Sequence, residues 1–256
     1  MDDKSQEIVC LITTLNILRA YKVFPKKGEE LNPGNDFYIK YVVGCLLASV
    51  ILVGSAMHLV HTVLIKEYNH IDLDLSYVLS MTSGFLLFIL FSANTTVATK
   101  MYMFLSDFEQ FGKPPKFDRF NNILNKLSKC HFLYLCTTSS MFSMGSNIFK
   151  SGQCRKDNLE FGYKEVCGLV TNTWLPFDID YFPMKQIYVV LQFISIYYVY
   201  MLSGTITFMV METVLHIGVR LDHVKELFIE AINDSNVEER RKKFNFTVRY
   251  HDRVLQ

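Results

Sequence analysis

Charged residues are absent from four long stretches of the chain, and these stretches set its hydrophobic pattern. Windows of 25, 25, 20 and 26 residues contain no Asp, Glu, Lys or Arg: 41–65, 75–99, 130–149 and 186–211. A helix rises about 1.5 Å per residue, so roughly 20 residues cross the hydrocarbon core of a membrane. Lipid offers no partners to backbone polar groups, so each span is predicted to be helical. The pattern predicts an all-α integral membrane protein, a helical bundle with four transmembrane helices.

The alternative is a soluble protein whose core contains four buried helices. In a chain of 256 residues, little amphipathic helix would remain to cover four helices that are apolar on every side. The second and third windows also contain many Ser and Thr residues, and the third contains Asn147. Such residues are typical of membrane helices that face a bundle interior or a cavity.

The segments before and after the bundle, 41–211, are polar and are predicted to be helical. Residues 1–40 form a predicted amphipathic segment, whose apolar residues recur at helical spacing: Ile8, Leu11, Ile12, Leu15 and Leu18. This segment lies at the membrane surface or packs under the bundle. Residues 212–256 contain an apolar stripe, a polar turn at 233–236, and a second helix without a terminal cap. The stripe consists of Val214, Ile217, Leu221, Val224 and Phe228.

The distribution of Lys and Arg predicts the orientation in the membrane. Counted on alternate sides of the four spans, the side of the N-terminus carries 20 of these residues and the opposite side carries 6. Cytoplasmic loops carry the excess of Lys and Arg in membrane proteins. Both the N-terminal segment and residues 212–256 are therefore expected in the cytoplasm, and the loop 150–185 is expected outside.

The predicted outer loop, 150–185, contains two cysteines. An external loop is exposed to an oxidising compartment, so a disulfide between Cys154 and Cys167 is plausible. The bridge would close twelve intervening residues and would stabilise the loop by about 2–3 kcal/mol. Free thiols or other pairings remain the alternative.

Aromatic residues and prolines crowd the end of this loop, where the fourth span begins. They are Trp174, Pro176, Phe177, Tyr181, Phe182, Pro183 and Tyr188. Trp and Tyr favour the membrane–water interface, which predicts an aromatic belt. Asp178 is a candidate cap for a turn or a helix start. The other interpretation is a lid over a cavity between the spans, and the pattern alone favours neither strongly.

The sequence offers little for catalysis, metal binding or nucleic-acid binding. His58 and His61 lie three residues apart, and His216 and His223 lie seven apart. Neither pair is accompanied by further candidate ligands at metal-binding spacing. No phosphate-binding glycine loop or nucleophile motif is present, so neither an enzyme nor a cofactor is predicted. The basic run EERRKKF, 238–244, suits lipid head groups better than nucleic acid at a predicted cytoplasmic membrane surface.

Two stretches of the chain resemble insect odorant receptors. The run WLPFDIDYFPMKQIYVVLQF is similar to the family's loop into the fourth span, where Trp/Phe-x-Pro-Phe-Asp precedes a Pro, aromatic residues and a Gln. METVLHIGVRLDHVKELF and the later VRYHDRVLQ are similar to the segment after that span. The likeness is specific over residues 174–255 and rests on hydropathy elsewhere.

The resemblance implies an odorant receptor subunit in the cell membrane of a sensory neuron. Members of this family are cation channels that small volatile ligands open, and they assemble with a co-receptor. Their ligand pocket lies in the outer half of the bundle and is mostly apolar. The residues of this chain projected onto that pocket are Tyr77, Met81, Phe85, Met141, Met144, Asn147, Ile148, Tyr188, Gln192, Phe193, Ser195 and Ile196.

The chain departs from the family in its number of spans. The family has seven spans, its last span lines the pore, and its sixth contributes to the pocket. This sequence shows four spans and stops at Gln256 inside a helical pattern, which predicts a fragment or a truncated product that does not conduct ions alone. The alternatives are a gustatory receptor of the same fold, a non-conducting truncated receptor, and a four-span accessory or transport protein.

Overall fold

The computed structural model describes residues 8–31, 33–64, 71–162 and 165–255. These residues are mostly helical and contain no β-strand, which confirms the predicted all-α fold. The helices are α1 (Ile12–Ala20), α2 (Asn35–Leu64), α3 (Ile71–Ala93), α4 (Thr95–Ser106), α5 (Phe117–Phe161), α6 (Met184–Asn233) and α7 (Val237–Leu255).

Helix α6 is the central element of the bundle. It packs against α1, α2, α3, α4, α5 and α7, while α2 also packs against α3 and α1 against α5. At about 1.5 Å per residue, the 50 residues of α6 extend roughly 75 Å. A hydrocarbon core of about 30 Å accommodates less than half of that length. More than half of the length of α6 therefore extends beyond the thickness of a hydrocarbon core.

Three helices are long and apolar enough to cross a membrane: α2, the 74–93 part of α3, and α6. The third predicted span, 130–149, lies inside α5, and α5 is not among the apolar helices of the described residues. Ser139 and Ser143 in this window are buried inside the protein, whereas Thr137 is exposed and donates to the carbonyl of Leu133 in its own helix at 2.9 Å. A membrane crossing by α5 stays a prediction.

The second predicted span, 75–99, is interrupted. Helix α3 ends at Ala93, and α4 begins at Thr95. Between them, Asn94 has φ −109° and ψ 18°, and its side-chain amide donates to the carbonyl of Leu90 at 2.8 Å. Asn and Thr side chains compete with helical hydrogen bonds in this way. The prediction of a continuous helix to residue 99 was wrong because the absence of charge does not reveal this competition.

The predicted outer loop, 150–185, is shorter than expected. Helix α5 continues to Phe161 and ends at Gly162, whose φ of 73° lies in the left-handed region that glycine adopts readily. Hereafter the segment 165–183 is called the α5–α6 loop. The charges from position 150 onward suggested a loop, but they belong to the last turns of a 45-residue helix.

Helix α1 packs inside the protein rather than lying free on a surface. Leu11, Leu15 and Leu18 are at most 1% exposed and join a core with residues of α3, α4 and α6. Ile12, which belongs to the predicted apolar face, is 42% exposed. The neighbouring Cys10 is fully buried, and that burial raises the pKa of its thiol to about 12. The structure therefore has the N-terminal helix packed under the bundle.

The predicted turn at 233–236 separates α6 from α7. Asn236 accepts a hydrogen bond from the backbone N–H of Glu238 at 3.0 Å, as a helix N-cap does. The apolar stripe predicted before this turn is only partly packed. Val224 is 3% exposed, whereas Val214 is 61% and Leu221 38% exposed. The fourth span and the stripe form one uninterrupted helix, α6.

The buried Arg220 of α6 joins three helices. One terminal nitrogen of its guanidinium donates to the carbonyls of Phe104, Leu105 and Asp107 at 3.1, 2.9 and 2.7 Å. The other donates to the hydroxyl of Tyr250 at 3.2 Å. The carbonyls at a helix C-terminus lack helical partners and attract cations, so Arg220 caps α4 while also holding α7.

Candidate functional site

A cavity of about 680 Å³ opens between α2, α3, α5, α6 and the α5–α6 loop. Its volume suits a small organic molecule. It lies beside Ile196 and Tyr200 of α6. The Arg220 cluster, meaning Arg220 with its partners at the end of α4 and Tyr250, lies farther along the same helix. The other residues that line it are Ser55, Asp74, Ser76, Tyr77, Ser80, Met81, Thr138, Ser139, Phe142, Gln153, Cys154, Asp157, Glu165, Thr171 and Asn172.

Two serines of the lining are buried and make no hydrogen bond through their hydroxyls. Ser55 on α2 and Ser139 on α5 are each 3% exposed, and neither Oγ atom has a partner within the described residues. A buried hydroxyl without a partner costs roughly 1–3 kcal/mol. Both residues border the cavity, so a polar ligand group placed there would recover part of that free energy.

An ion-paired cluster forms the wall between α2, α3 and the α5–α6 loop. The Nδ1 atom of His58 lies 2.9 Å from an oxygen of Asp74, and its Nε2 atom lies 3.6 Å from an oxygen of Glu165. The other oxygen of Asp74 accepts a hydrogen bond from the side-chain amide of Asn172 at 3.4 Å. Asp74, Glu165 and Asn172 border the cavity directly, so this wall is strongly polar.

Gln192 attaches the α5–α6 loop to α6. Its side chain is fully buried and accepts a hydrogen bond from the backbone N–H of Val170 at 2.9 Å. Its amide nitrogen donates to the carbonyl of Thr171 at 3.0 Å and to the hydroxyl of Thr173 at 2.7 Å. These bonds satisfy polar groups of a buried loop segment. Gln192 therefore positions the cavity wall and is not itself among the residues that line the cavity.

The next part of the loop rests on α2. The backbone N–H of Trp174 donates to the carbonyl of Gly54 at 3.2 Å, and its indole stacks on His61 with ring centroids 5.7 Å apart. A Cβ atom at Gly54 would stand 2.2 Å from Cγ2 of Thr173. The absence of a side chain at Gly54 thus lets the loop approach the helix closely.

A disulfide joins Cys154 near the end of α5 to Cys167 in the loop. Their Cα atoms are 5.5 Å apart, within the usual range for such a bridge. Cys154 also borders the cavity. The disulfide at Cys167 and the Gln192 hydrogen bonds to residues 170–173 together fix the loop segment that borders the cavity.

The structure brings Tyr77, Met81 and Ile196 together at the cavity, as predicted for pocket residues. Phe85 and Ser195 border a second, much smaller cavity of about 10 Å³, which shares Met81 and Ile196 with the first. These residues lie on the faces of α3 and α6 that point toward each other. Contact with a ligand stays a prediction for all of them.

Other predicted pocket residues lie elsewhere. Met141, Met144 and Ile148 are 69%, 60% and 63% exposed, so this side of α5 faces away from the cavity. Tyr188 is buried in a small cluster with Leu169 and Ile179 of the loop.

Phe193, also predicted for the pocket, is 37% exposed and stacks on Tyr197 with ring centroids 6.3 Å apart. The side chain of Asn147 lies outside the part that the structure describes.

The predicted loop motif, Trp174, Pro176, Phe177 and Asp178, does not line the cavity. Phe177 is 58% exposed, and Asp178 accepts the backbone N–H of Asp180 at 2.8 Å in a turn. The residues just before the motif, Thr171 and Asn172, do form part of the wall. The exposed aromatic portion and the portion that borders the cavity are therefore different parts of the loop, and an aromatic belt at the membrane interface stays a prediction.

Sequence reasoning missed the polar wall. In the sequence, His58 stands out only as part of an incomplete metal pair with His61, and Asp74 stands one position outside the second charge-free window. The available signal was the pair of acidic residues, Asp72 and Asp74, directly before an apolar span. Within residues 8–31, 33–64, 71–162 and 165–255, no group of three or more His, Cys, Asp and Glu residues is arranged to hold a metal ion.

No protein-family model and no curated protein sequence matches the chain. The olfactory receptor OR5 of the insect Machilis hrabei matches with a TM-score of 0.65 and 12% identity, over 94% of this chain and 61% of the receptor chain. The chain has the insect olfactory receptor fold. The structure of the same receptor in complex with eugenol matches with a TM-score of 0.64 and 11% identity over the same shares.

The olfactory receptor fold explains the arrangement of the helices. At 12% identity the likeness concerns the backbone path and transfers no individual side chain. This chain spans 61% of the length of the solved receptor that it matches.

Proposed function

We propose that this chain is an odorant receptor subunit that binds small volatile ligands in the cavity between α2, α3, α5 and α6. The observation that carries the proposal is a cavity of about 680 Å³ inside a bundle with the olfactory receptor fold. The solved receptor of that fold is known in complex with eugenol. An apolar floor with a few polar groups is typical of small-molecule sites.

The wider proposal is that ligand binding gates a cation channel formed with a co-receptor in a sensory neuron membrane. The three long apolar helices support a membrane location. Ligand binding shifts a conformational equilibrium only if the ligand binds one state more tightly than the other. Here the α5–α6 loop and α6 both border the cavity, so a ligand contacts the helix that continues to the Arg220 cluster.

Binding is tested with the purified chain in lipid nanodiscs, with eugenol as the probe and the fluorescence of Trp174 as the signal. Trp174 is the only tryptophan of the chain and follows two cavity residues, Thr171 and Asn172, in the loop. We expect saturable binding in the micromolar range. Calorimetry on the same sample provides a second signal that does not depend on Trp174.

A matched pair of variants locates the site. Ser80 and Ser83 are both exposed on α3, but only Ser80 borders the cavity. Ser80→Phe fills the cavity and is expected to weaken eugenol binding at least 10-fold, whereas Ser83→Phe leaves it within about 2-fold. Equal effects of both substitutions, or no saturable binding to the unmodified chain, would contradict the proposal.

The channel part of the proposal is tested by expression with a co-receptor and recording of ligand-evoked currents. Ser80→Phe is expected to abolish the current evoked by a ligand that binds the cavity. Binding without current would limit the proposal to ligand recognition.

A further inference from the structure

We propose that the cavity prefers small organic ammonium ions, with an apolar body and a protonated amine, over neutral or anionic molecules of the same shape. This inference rests on the proposed function, because it names the class of ligand for the same cavity. It is carried by the charges of the wall, and two buried serine hydroxyls that lack partners within the described residues supply further acceptors in the same cavity.

The charged groups of the wall are predominantly acidic. Asp74, Asp157 and Glu165 border the cavity, and no Lys or Arg does so among the described residues. The imidazole of His58 stands between Asp74 and Glu165, at 2.9 and 3.6 Å. A single imidazolium balances only one of these two carboxylates. Thus Asp74, Glu165 and His58 together carry a net negative charge even when His58 is protonated.

Geometry leaves Glu165 the more available of the two carboxylates. Asp74 is engaged on both oxygens, by His58 at 2.9 Å and by Asn172 at 3.4 Å. The contact of Glu165 with His58 is longer, 3.6 Å, and its side chain is 35% exposed. A ligand cation can therefore approach Glu165 without displacing an existing short hydrogen bond.

The buried serines add the second observation. Ser55 and Ser139 are each 3% exposed, line the same cavity, and make no hydrogen bond through their hydroxyls within the described residues. An ammonium group has three donors and no acceptor. It can donate to a carboxylate and a serine oxygen at once, and a charge-assisted hydrogen bond is about twice as strong as a neutral one.

Apolar residues on the remaining sides hold the body of such a ligand. Met81, Phe142 and Ile196 border the cavity from α3, α5 and α6. Met adapts its shape to different partners and packs well against aromatic rings. An apolar surrounding also lowers the local dielectric constant, so the attraction between an ammonium ion and a carboxylate is stronger there than in water.

Three molecules of nearly equal shape test the preference: 2-phenylethylamine, 2-phenylethanol and phenylacetate. At neutral pH they are a cation, a neutral alcohol and an anion. Binding to the purified chain is measured by calorimetry in nanodiscs of uncharged phosphatidylcholine, with empty nanodiscs as the blank. We expect the amine to bind about 10-fold more tightly than the alcohol, and phenylacetate to bind at least 10-fold more weakly than the alcohol.

A matched pair of variants assigns the preference to the wall. Glu165→Gln keeps the size of the side chain and removes its charge, so the advantage of the amine over the alcohol is expected to fall to about 3-fold or less. Glu160→Gln makes the same change at an exposed position of α5 that does not border the cavity, and the full advantage is expected to remain.

The outcomes separate this inference from the proposed function. If eugenol binds the cavity but the amine binds no more tightly than the alcohol, the charge preference is wrong and the proposed function stands. An equal loss of preference in Glu160→Gln also overturns the inference, because the effect would then come from the general surface charge. If neither eugenol nor any of the three molecules binds, the proposed function and this inference both fail.

Discussion

The two ends of α6 differ in that the hydrogen bonds of Arg220 hold one end together and a cavity opens at the other. At one end, the terminal nitrogens of Arg220 make four hydrogen bonds, to the end of α4 and to Tyr250 of α7. At the other end, Ser55 and Ser139 are buried beside a cavity without hydroxyl partners. Proteins normally satisfy buried polar groups. Among the described residues, buried polar atoms without partners also occur near Arg220, namely its Nε atom and both ring nitrogens of His216, so what distinguishes the other end is that Ser55 and Ser139 border a cavity with room for an additional molecule.

Packing supports the same distinction. A large apolar core joins α1, α3, α4 and α6 away from the cavity and includes Leu15, Tyr102 and Leu202. Only a small cluster, with Leu169, Ile179 and Tyr188, supports the α5–α6 loop. The cavity end therefore depends on few specific contacts, namely the Gln192 hydrogen bonds, the Gly54 contact and the disulfide. Substitutions at the Arg220 end should lower the stability of the whole protein. Substitutions at the cavity end should act locally and weaken ligand binding.

The largest expected effect is at Arg220. Arg220→Met keeps an apolar stem but leaves three carbonyls of the α4 end and the Tyr250 hydroxyl without their donor. We expect the free energy of unfolding to fall by about 3 kcal/mol, measured by thermal unfolding in detergent. The control is Arg253→Met, because Arg253 is exposed and lies over the ring of Phe104 at 5.8 Å. A similar fall in the free energy of unfolding of Arg253→Met would show that the hydrogen bonds of Arg220 add no particular stability.

A smaller and more local effect is expected at Gln192. Gln192→Met preserves the volume but leaves the N–H of Val170 and the carbonyl of Thr171 without partners. The expected cost is about 2 kcal/mol, with a red shift of Trp174 fluorescence as the loop detaches and with loss of eugenol binding. Gln186→Met, at an exposed position of the same helix, should leave all three measurements unchanged. If Gln192→Met still bound eugenol, the attachment of the loop to α6 would not be required for the ligand site.

Two glycine substitutions sharpen the comparison further. In Gly54→Ala the new Cβ meets Cγ2 of Thr173 at 2.2 Å, so the loop must shift, at a cost of about 1–2 kcal/mol. In Gly218→Ala, toward the Arg220 end of α6, nothing stands within 4 Å of the new Cβ, and stability should rise by up to about 1 kcal/mol. Thermal unfolding and eugenol binding measure both variants. Equal stability and equal eugenol binding in the two variants would show that the α5–α6 loop tolerates displacement from α2.

The smallest expected effect is a pH dependence at the α6–α7 turn. Lys243 pairs with Asp234 at 3.0 Å and with Glu230 at 2.8 Å, and the hydrogen bond from Lys243 lowers the pKa of Asp234 below its ordinary 3.8. A lowered folded pKa means that Asp234 stabilises the turn above pH 3.8 and that this contribution disappears as the pH falls through the lower folded value. Proteolysis of α7 should therefore accelerate slightly at acid pH, and Asp234→Asn should show less of this change.

The sequence predicted the elements that lipid and helical periodicity dictate. A span that lies in hydrocarbon excludes charge, so the windows that became α2 and α6 were visible directly. Tyr77 and Met81 are four residues apart on one helix, and this spacing places them on a single face whatever the partner helix is. With the direction of the spans, the same periodicity selected Ile196 of α6 as a neighbour of that face.

The rest depended on tertiary contacts that one sequence does not contain. The rotation of α5 about its axis decides that Ser139, which was not among the predicted pocket residues, borders the cavity and that the predicted Met144 does not. Gln192 had the chemistry of a ligand contact, but both its amide oxygen and its amide nitrogen bond to the α5–α6 loop. The cluster of His58, Asp74 and Glu165 combines three separate segments, so the acidic pair before α3 indicates a polar position, but no local pattern indicates that His58 and Glu165 join it.

Photoaffinity labelling of the chain in nanodiscs, with a diazirine analogue of eugenol, tests the central claim most directly. Mass spectrometry of the peptides locates the attached group. The account predicts labelling of α3 near Tyr77 and Met81 and of α6 near Ile196, and eugenol in excess should suppress it. Labelling confined to outward-facing residues such as Met144, and unaffected by eugenol, would contradict the assignment of the cavity as a ligand site.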